Sequence, residues 1–358
     1  MEEIVLIILC SIVIISIVAF IIKKKRNNRY KSYVARENIP VEFKEIYNRL
    51  YTYYKEELED LRKNVVFKCA IFAIVIVLLV ITTICILPNI FDMTEFVIKV
   101  ITTIYTIIAI IFLVIIMIAK STYKKTYKEK IISKFVGLID KGLVYKYGHI
   151  KGGLEIARAY QKAQFDNKEF NRCYVDDSVE GILLGNTRIE VFDVDISYVR
   201  ERNQKKEQKQ KKKKKYRTKK IFQGIFAMAI SQKDVETTVK ITRNKLRKLD
   251  NKERIQMDSG EFEEYFDVYA EDKIMAMRIL TSDVMQCLID FQNKYNLDFE
   301  IVFKNNVIYS RFFTGPMFEP KIIGDAMDEG LIFRYYTILK FIIDITQTVN
   351  ASKKDLDI

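Results

Sequence analysis

The sequence predicts an α+β protein in which N-terminal transmembrane helices and a helical stalk precede a cytoplasmic, mainly antiparallel sheet with packed helices. Three observations predict this class. Long uncharged apolar runs dominate the first 119 residues, alternating apolar and polar residues follow from about residue 143, and stretches with helical apolar spacing separate those alternating segments. The five cysteines form no C-x-x-C pair, which indicates free thiols in a reducing compartment.

Three runs are long enough to cross a bilayer as helices. They are Ile4–Ile22 with nineteen residues, Val65–Leu87 with twenty-three including Lys68, and Val100–Ala119 with twenty. The first run follows the acidic start Met1-Glu2-Glu3 and has no small-x-small cleavage site. It is therefore interpreted as a retained anchor and not as a signal peptide.

The basic residues beside these runs predict their orientation. Residues 23–31 hold six Lys and Arg and residues 120–130 hold five, whereas residues 88–96 hold none and carry Asp92 and Glu95. Because basic flanks stay on the cytoplasmic side, we expect the N-terminus and the 88–96 loop outside and the C-terminal domain in the cytoplasm. The predicted location is a multi-pass position in the inner (cytoplasmic) membrane.

Amphipathic spacing extends both inner helices beyond the bilayer. Pro40 suits a first helical turn, and apolar residues then recur at three- and four-residue steps; a similar pattern after residue 120 ends at Gly142. The two extensions are expected to form an antiparallel stalk. The predicted organisation is residues 1–31 as transmembrane helix 1 with its basic flank, 32–64 as a cytoplasmic amphipathic helix, 65–119 as a transmembrane hairpin, 120–142 as the stalk, and 143–350 as the cytoplasmic α+β domain with a disordered basic loop at 200–220.

Within the domain, alternation of period two predicts strands and steps of three and four predict helices. The predicted strands are 188–194, 221–226, 238–241, 265–269 and a hairpin of 299–303 and 307–313 turning at Lys304-Asn305-Asn306. A helical stretch spans 272–295 with a break and N-cap at Thr281-Ser282-Asp283, and residues 331–349 are interpreted as a core helix and not as a fourth span.

The order of motifs resembles the bacterial membrane proteins grouped as domain of unknown function 3137 (DUF3137), over roughly residues 125–320 and the hairpin before them. The motifs are Phe222-Gln223-Gly224-Ile225-Phe226, Phe266-Asp267-Val268-Tyr269-Ala270-Glu271-Asp272 and Phe318-Glu319-Pro320, preceded by Tyr174 to Gly181 and Thr187 to Glu190. The resemblance implies a membrane hairpin followed by a cytoplasmic domain, and no reaction. It also implies a protein partner resembling LemA-like helical bundles. This chain departs from the pattern by its extra N-terminal span and by Ser282, where the pattern has proline.

Chemical motifs are sparse. The sequence contains no phosphate-binding glycine motif, and His149, the single histidine, lies between stalk and domain, so nucleotide chemistry and histidine-dependent catalysis are disfavoured. Asp176, Asp177 and Glu180 offer hard oxygen ligands, and they carry the alternative of a membrane-anchored, metal-assisted hydrolase. We assign no catalytic residue, metal ligand or cofactor.

The basic run 205–220 holds eleven Lys and Arg and one Glu, so it supplies ten of the thirteen net charges. A cytoplasmic loop near the inner leaflet meets anionic lipid, which makes Lys209, Lys211, Lys212, Lys213, Lys214, Lys215, Arg217, Lys219 and Lys220 the candidate lipid-binding residues. A solvated insertion and a nucleic-acid or other acidic partner are the alternatives; one tyrosine in the run gives no stacking platform. The sequence thus predicts a non-catalytic scaffold that binds a partner or lipid. Three helices form no transport pathway unless the chain assembles into an oligomer.

Overall fold

The computed structural model describes residues 39–83, 95–148, 153–183, 187–201, 216–244 and 254–351. Its first two helices are α1 (Val41–Ile81) and α2 (Glu95–Tyr127). Both α1 and the helical stretch Lys99–Ile139 are long and apolar enough to cross a membrane by length and composition, and only 6% of each apolar window is buried. These helices indicate a membrane association. The predicted helix Ile4–Ile22 lies outside the described residues.

The two long helices pack side by side. In the apolar part, Phe72 stacks on Phe112 with ring centroids 5.9 Å apart. At the other end of α1, the buried Phe43 meets Phe333 at 4.8 Å, and Tyr47 donates its hydroxyl to the Met327 carbonyl at 2.7 Å. The N-terminal half of α1 is therefore part of the domain's own core.

Helix α2 continues through a π-helical turn (Lys128–Ile132) into α3 (Ser133–Ile139), after which the chain reverses into the sheet. The remaining helices are α4 (Gly153–Ala163), α5 (Gly260–Tyr265), α6 (Lys273–Ile279), α7 (Ser282–Tyr295) and α8 (Glu329–Ala351). The strands are β1 (Leu143–Tyr147), β2 (Arg172–Leu183), β3 (Thr187–Glu201), β4 (Tyr216–Arg243), β5 (Arg254–Ile255), β6 (Phe266–Ala270) and β7 (Phe299–Phe312).

These strands form one seven-stranded sheet in the order β1-β2-β3-β4-β6-β5, with β7 paired to β4 as well. Every strand pair is antiparallel. The predicted α+β class with a mainly antiparallel sheet is confirmed. The predicted helix break is also present, since α6 ends at Ile279 and α7 begins at Ser282 after Thr281.

One strand prediction was wrong, that of the hairpin, and two predicted strands are joined into one. The segments 221–226 and 238–241 belong to the single strand β4, and the predicted 299–313 hairpin is the single strand β7. The expected turn at Lys304-Asn305-Asn306 lies inside β7, where Asn305 has φ +53° and pairs with Val235 across two register shifts in β4. The irregularity that the sequence signals is thus a distortion within a long strand pair, and the chain does not reverse there.

The ends of the predicted basic loop also differ from expectation. Strand β3 continues to Glu201 and β4 begins at Tyr216, with Glu201 opposite Tyr216 and Arg200 opposite Arg217. Residues 200–201 and 216–220 are therefore strand, and the predicted loop's other residues, 202–215, lie outside the described part of the chain.

The sheet separates two apolar cores. Alternate residues of β3 and β4 point to opposite sides, so Val191 and Ile225 join the core with α1, α7 and α8, whereas Phe192 and Phe226 join a smaller aromatic core under α4. Helix α8 lies in the larger core with thirteen buried residues, as expected for a core helix.

Candidate functional site

The most distinctive polar feature of the described chain is a charged cluster where the stalk meets the sheet. Its centre is Lys128, the first residue of the π-turn, which is only 1% exposed. A π-turn widens the helix by one residue, and here Tyr127, Lys128, Ile131 and Ile132 are all buried against the domain. The ammonium group of Lys128 is thereby carried below the surface, towards β2.

Strand β2 supplies two adjacent carboxylates. Neighbouring strand residues normally point to opposite faces. The register shifts between Val175 and Asp177, however, because Val175 pairs with Val194 and Asp177 pairs with Asp193, which leaves Asp176 as the extra residue of a β-bulge. As a result both side chains reach Lys128: its Nζ lies 2.6 Å from Asp177 Oδ2 and 3.4 Å from Asp176 Oδ2.

The third carboxylate, Glu319, comes from the loop between β7 and α8. Its Oε1 lies 3.1 Å from Lys128 Nζ and 2.7 Å from Lys124 Nζ. The preceding residue, Phe318, is fully buried and has φ +57°, a left-handed conformation that non-glycine residues rarely adopt. Its ring packs on Tyr145 and Tyr335 at 5.5 and 5.1 Å, and this packing fixes the direction of Glu319.

Burial and charge shift the pKa values of this cluster in opposite directions. Burial raises the pKa of Asp177 to about 6, even though Lys128 favours its ionised form. Burial also tends to raise the pKa of Asp176, but Lys128 and Lys124 outweigh it and hold that pKa below its usual range. Asp193, beneath the cluster, has a pKa raised well above normal by burial, although the Met317 N–H donates to it at 2.6 Å.

The arrangement fits an ion-paired clamp better than a metal centre. Asp176, Asp177 and Glu319 each offer an oxygen within 4.8 Å of the others, which is the spacing of a candidate cation site. However, two ammonium groups already contact these oxygens, and a divalent ion would have to displace the buried Lys128. Glu180, the third predicted acidic residue, is elsewhere: it pairs with Lys146 at 2.6 Å.

A second buried charge lies in the aromatic core on the other face of the sheet. Arg311 is 4% exposed; its Nη2 donates to Glu300 at 2.7 Å and its Nη1 to Asp166 at 3.0 Å. Its guanidinium also lies 4.7 Å from the ring centre of Phe165 and 5.7 Å from that of Phe222. The charge is thus fully paired inside an apolar layer, which is the condition for a stable buried arginine.

The motif Phe222 to Phe226 has a direct structural reason. Phe222 and Phe226 lie on the same face of β4 and pack on Tyr160 with ring centres 5.7 and 5.4 Å away. Between them, a Cβ on Gly224 would lie 2.1 Å from the Phe312 carbonyl oxygen and 3.0 Å from the Thr314 nitrogen. Only glycine permits β7 to approach this closely.

The predicted lipid-binding residues divide into two groups. Arg217, Lys219 and Lys220 are exposed at the start of β4, and Lys220 pairs with Asp195 at 3.0 Å. The other predicted residues lie outside the described part of the chain: Lys209, Lys211, Lys212, Lys213, Lys214 and Lys215. His149 lies outside it as well.

Asp272 caps α6, because its Oδ1 accepts from the N–H groups of Ile274 at 2.8 Å and Met275 at 3.2 Å. Sequence reasoning missed Lys124, Lys128 and Arg311 as site residues. One signal for Lys128 was available in the sequence. This lysine directly follows Tyr127, one of the apolar residues at helical spacing that predict the stalk: Tyr123, Tyr127, Ile131 and Phe135. Glu319 was noticed within a motif, yet without a role.

Comparison with known proteins agrees with the resemblance for part of the chain. Residues 220–351 match the family model described as protein of unknown function (DUF3137), which confirms the resemblance for that segment and its three principal motifs. The crystal structure of the mycobacterial trehalose monomycolate transport factor A, TtfA, is 11% identical, with a TM-score of 0.32 over 60% of this chain and 93% of that one. No curated protein matches.

Proposed function

We propose that this chain, whose residues 220–351 match the family of proteins of unknown function DUF3137, is a membrane-anchored, non-catalytic scaffold that holds its domain against anionic lipid at the cytoplasmic surface. One observation carries the proposal: α1 and α2 run without a break from exposed apolar segments into the core of the domain. A domain built around its own anchors cannot swing away from the bilayer on a flexible linker.

The proposed orientation follows from the basic flanks. The hairpin lies in the inner membrane with its 88–96 connection outside, and Lys120, Lys124 and Lys128 follow the apolar run on the cytoplasmic side. Together with the run Ile4–Ile22, the chain crosses the membrane three times.

The domain begins close to the bilayer. Lys128 is nine residues beyond Ala119, the last residue of the apolar run, which is about 13 Å along a helix. Lys124, only five residues beyond Ala119, already contacts Asp176 and Glu319. The cluster therefore ties β2 and the Glu319 loop to the anchor about two helical turns below the membrane.

Strand directions support a membrane-facing position for the basic run. After α3 the chain reverses, and β1 runs back towards the membrane until Tyr147 reaches Glu129. Antiparallel pairing then sends β2 away from the bilayer and β3 towards it. Glu201 is eight residues beyond Asp193, the partner of Asp177, which is about 26 Å along an extended strand. That length is enough to bring the β3–β4 connection to the headgroups.

The charge at this end suits anionic lipid. Each basic residue near such a surface contributes about 1 kcal/mol, screened by salt. Arg217 and Lys219 are exposed at the strand's start, adjoining the eight lysines of 205–215. A solvated insertion would carry the same charge but would make no contact with lipid.

Tryptophan fluorescence tests the lipid contact, because the chain contains no tryptophan. Thr218→Trp, at an exposed position beside Arg217, places a single reporter there. In nanodiscs, we expect headgroup spin-labelled lipid to quench it when phosphatidylserine is present, and salt to reverse this. Arg217→Glu with Lys219→Glu should weaken the quenching. The matched control is Lys273→Glu with Lys294→Glu, two exposed lysines on α6 and α7, which should leave it unchanged.

Equal quenching in neutral and anionic nanodiscs, without a response to salt, would reject lipid docking and favour the solvated insertion. Orientation is tested separately in inverted membrane vesicles. Added trypsin should cleave the basic run there, and protection of the run would overturn the proposed topology.

A further inference from the structure

The loop that follows Phe318-Glu319-Pro320 carries an apolar tip next to the membrane hairpin. Ile323 is 66% exposed, and its neighbour Ile322 is only partly buried. Single exposed isoleucines are ordinary on protein surfaces. The position of Ile323 is unusual, because two residues near the ends of the apolar runs hold the loop that carries it.

The two residues that hold the loop lie on different helices at the same depth. Tyr123 donates its hydroxyl to the Lys321 carbonyl at 2.8 Å, and Arg62 donates Nη1 to the Ile322 carbonyl at 3.2 Å. Phe72 and Phe112 stack across the hairpin, and Arg62 and Tyr123 are ten and eleven residues from them towards the domain, about 15–16 Å in each helix. The carbonyls of Lys321 and Ile322 are thus held level with each other.

The carbonyls of Lys321 and Ile322 lie at the edge of the predicted hydrocarbon region. Arg62 is three residues before Val65 and Tyr123 is four residues after Ala119, so both are about 5–6 Å outside the apolar runs. From there the loop descends along α1, because Met327 receives the Tyr47 hydroxyl much further from the membrane. The segment 321–323 is therefore the part of the loop nearest the bilayer.

The charged neighbours of the tip are turned away from it. Lys321 Nζ lies 2.5 Å from Asp328 Oδ2, and Asp325 Oδ1 accepts from the Met327 N–H at 2.9 Å. This leaves the isoleucine side chain as the exposed apolar group at the end of a fixed loop. Burying such a side chain in an apolar medium is favourable, and a fixed loop loses little conformational freedom when it does so.

We propose that Ile323, with Ile322, inserts into the interfacial layer of the bilayer beside the hairpin and fixes how deeply the domain sits. The inference rests on the proposed membrane anchoring by α1 and α2. Lipid is the occupant that the position favours, because the tip adjoins two exposed apolar helix faces that the bilayer would also cover. A protein partner or a second copy is the competing occupant.

Single tryptophans again provide the test, in the full chain reconstituted into nanodiscs. Ile323→Trp reports on the tip. Ile274→Trp is the matched control, since Ile274 is also 66% exposed but lies on α6, beside the opposite end of β4. Leu113→Trp, 47% exposed within the apolar run, reports on the hairpin itself. Each is measured with lipids brominated at a shallow acyl position and with unbrominated lipids.

We expect strong quenching and a blue-shifted emission for Ile323→Trp, and neither for Ile274→Trp. Quenching of Leu113→Trp without quenching of Ile323→Trp would overturn the inference and leave the anchoring intact. Failure to quench Leu113→Trp would overturn the anchoring itself. A blue shift at position 323 without bromine quenching would identify a protein occupant and reject lipid.

Hydrogen exchange of the unsubstituted chain provides a second measurement that does not depend on a variant's folding. The amides of 322–324 should exchange several-fold more slowly in nanodiscs than in detergent of low lipid content, and those of 273–275 should not change. Equal exchange in both media at 322–324 would contradict insertion.

Discussion

Lys128 Nζ lies 2.7 Å from Asp177 Oδ1 and 2.6 Å from Asp177 Oδ2, and the two side chains are 1% and 0% exposed. The lysine belongs to the π-turn that continues α2, and the aspartate belongs to the sheet. This pair is therefore a direct ion pair between the long apolar helix and the sheet domain. A buried pair of this kind adds little net stability compared with apolar residues, but it strongly penalises any state in which one partner is missing.

The first prediction concerns that penalty. Lys128→Met should lower the free energy of unfolding by about 3–5 kcal/mol, because it leaves Asp177 buried without its cation. The double variant Lys128→Met with Asp177→Leu should recover most of the loss. Unfolding by urea, followed by circular dichroism of the full chain in detergent, measures both changes.

Lys124→Met is the matched control for this prediction. Lys124 contacts Asp176 and Glu319 but is 40% exposed, so its removal should change the unfolding free energy by about 1 kcal/mol or less. Equal losses for Lys124→Met and Lys128→Met would show that the buried ion pair is not what joins the long helices to the sheet.

The second prediction is a pH dependence that originates at Asp193. Burial raises the pKa of Asp193 in the folded chain, so the folded state binds more protons than the unfolded state just above the ordinary aspartate pKa. Its contribution to stability consequently falls as pH rises from about 4 towards the raised pKa. Asp193→Asn keeps an oxygen for the Met317 N–H and removes the ionisation. The variant should be more stable than the wild type at pH 8, and this advantage should disappear near pH 4.

Asp166→Asn should behave in the opposite way. Burial tends to raise the pKa of Asp166, but the hydrogen bond and charge of Arg311 outweigh it and lower that pKa. Asp166 therefore stabilises the fold above its ordinary pKa, and this stabilisation is lost as pH falls through the lowered value. Thermal unfolding in buffers from acid to alkaline pH measures both variants. Parallel pH profiles of Asp193→Asn and Asp166→Asn would contradict both assignments.

Sequence patterns predicted those elements that depend on near neighbours. The apolar spacing of α1 and α2 and the break at Thr281 each follow from residues a few positions apart. The hairpin prediction for β7 failed because Lys304-Asn305-Asn306 favours a turn locally, whereas pairing with β4 along the whole strand keeps the chain extended. Long-range pairing of this kind leaves no local signature.

The charged cluster could not be predicted for a related reason. Lys128 is 49 residues from Asp177 and far from Glu319, and a lysine on a stalk helix suggests a solvent-facing side chain. The β-bulge that turns both Asp176 and Asp177 to one lysine depends on the register with β3. Asp176 and Asp177 were predicted as neighbouring acidic residues, but Glu319 and the cation Lys128 were not.

The third prediction tests the glycine of the F-x-G-x-F motif. Gly224→Ala should lower the unfolding free energy by about 2–3 kcal/mol, because the new Cβ would meet the Phe312 carbonyl oxygen at 2.1 Å and force β7 away from β4. Gly137→Ala is the control, since Gly137 lies within α3 and an added Cβ would have nothing within 4 Å, so alanine there should stabilise the helix by about 0.5–1 kcal/mol. Urea midpoints of the two variants should therefore move in opposite directions from that of the wild type. An unchanged midpoint for Gly224→Ala would mean that the two strands separate at little cost, and the close approach would then not explain why glycine stands between the two phenylalanines.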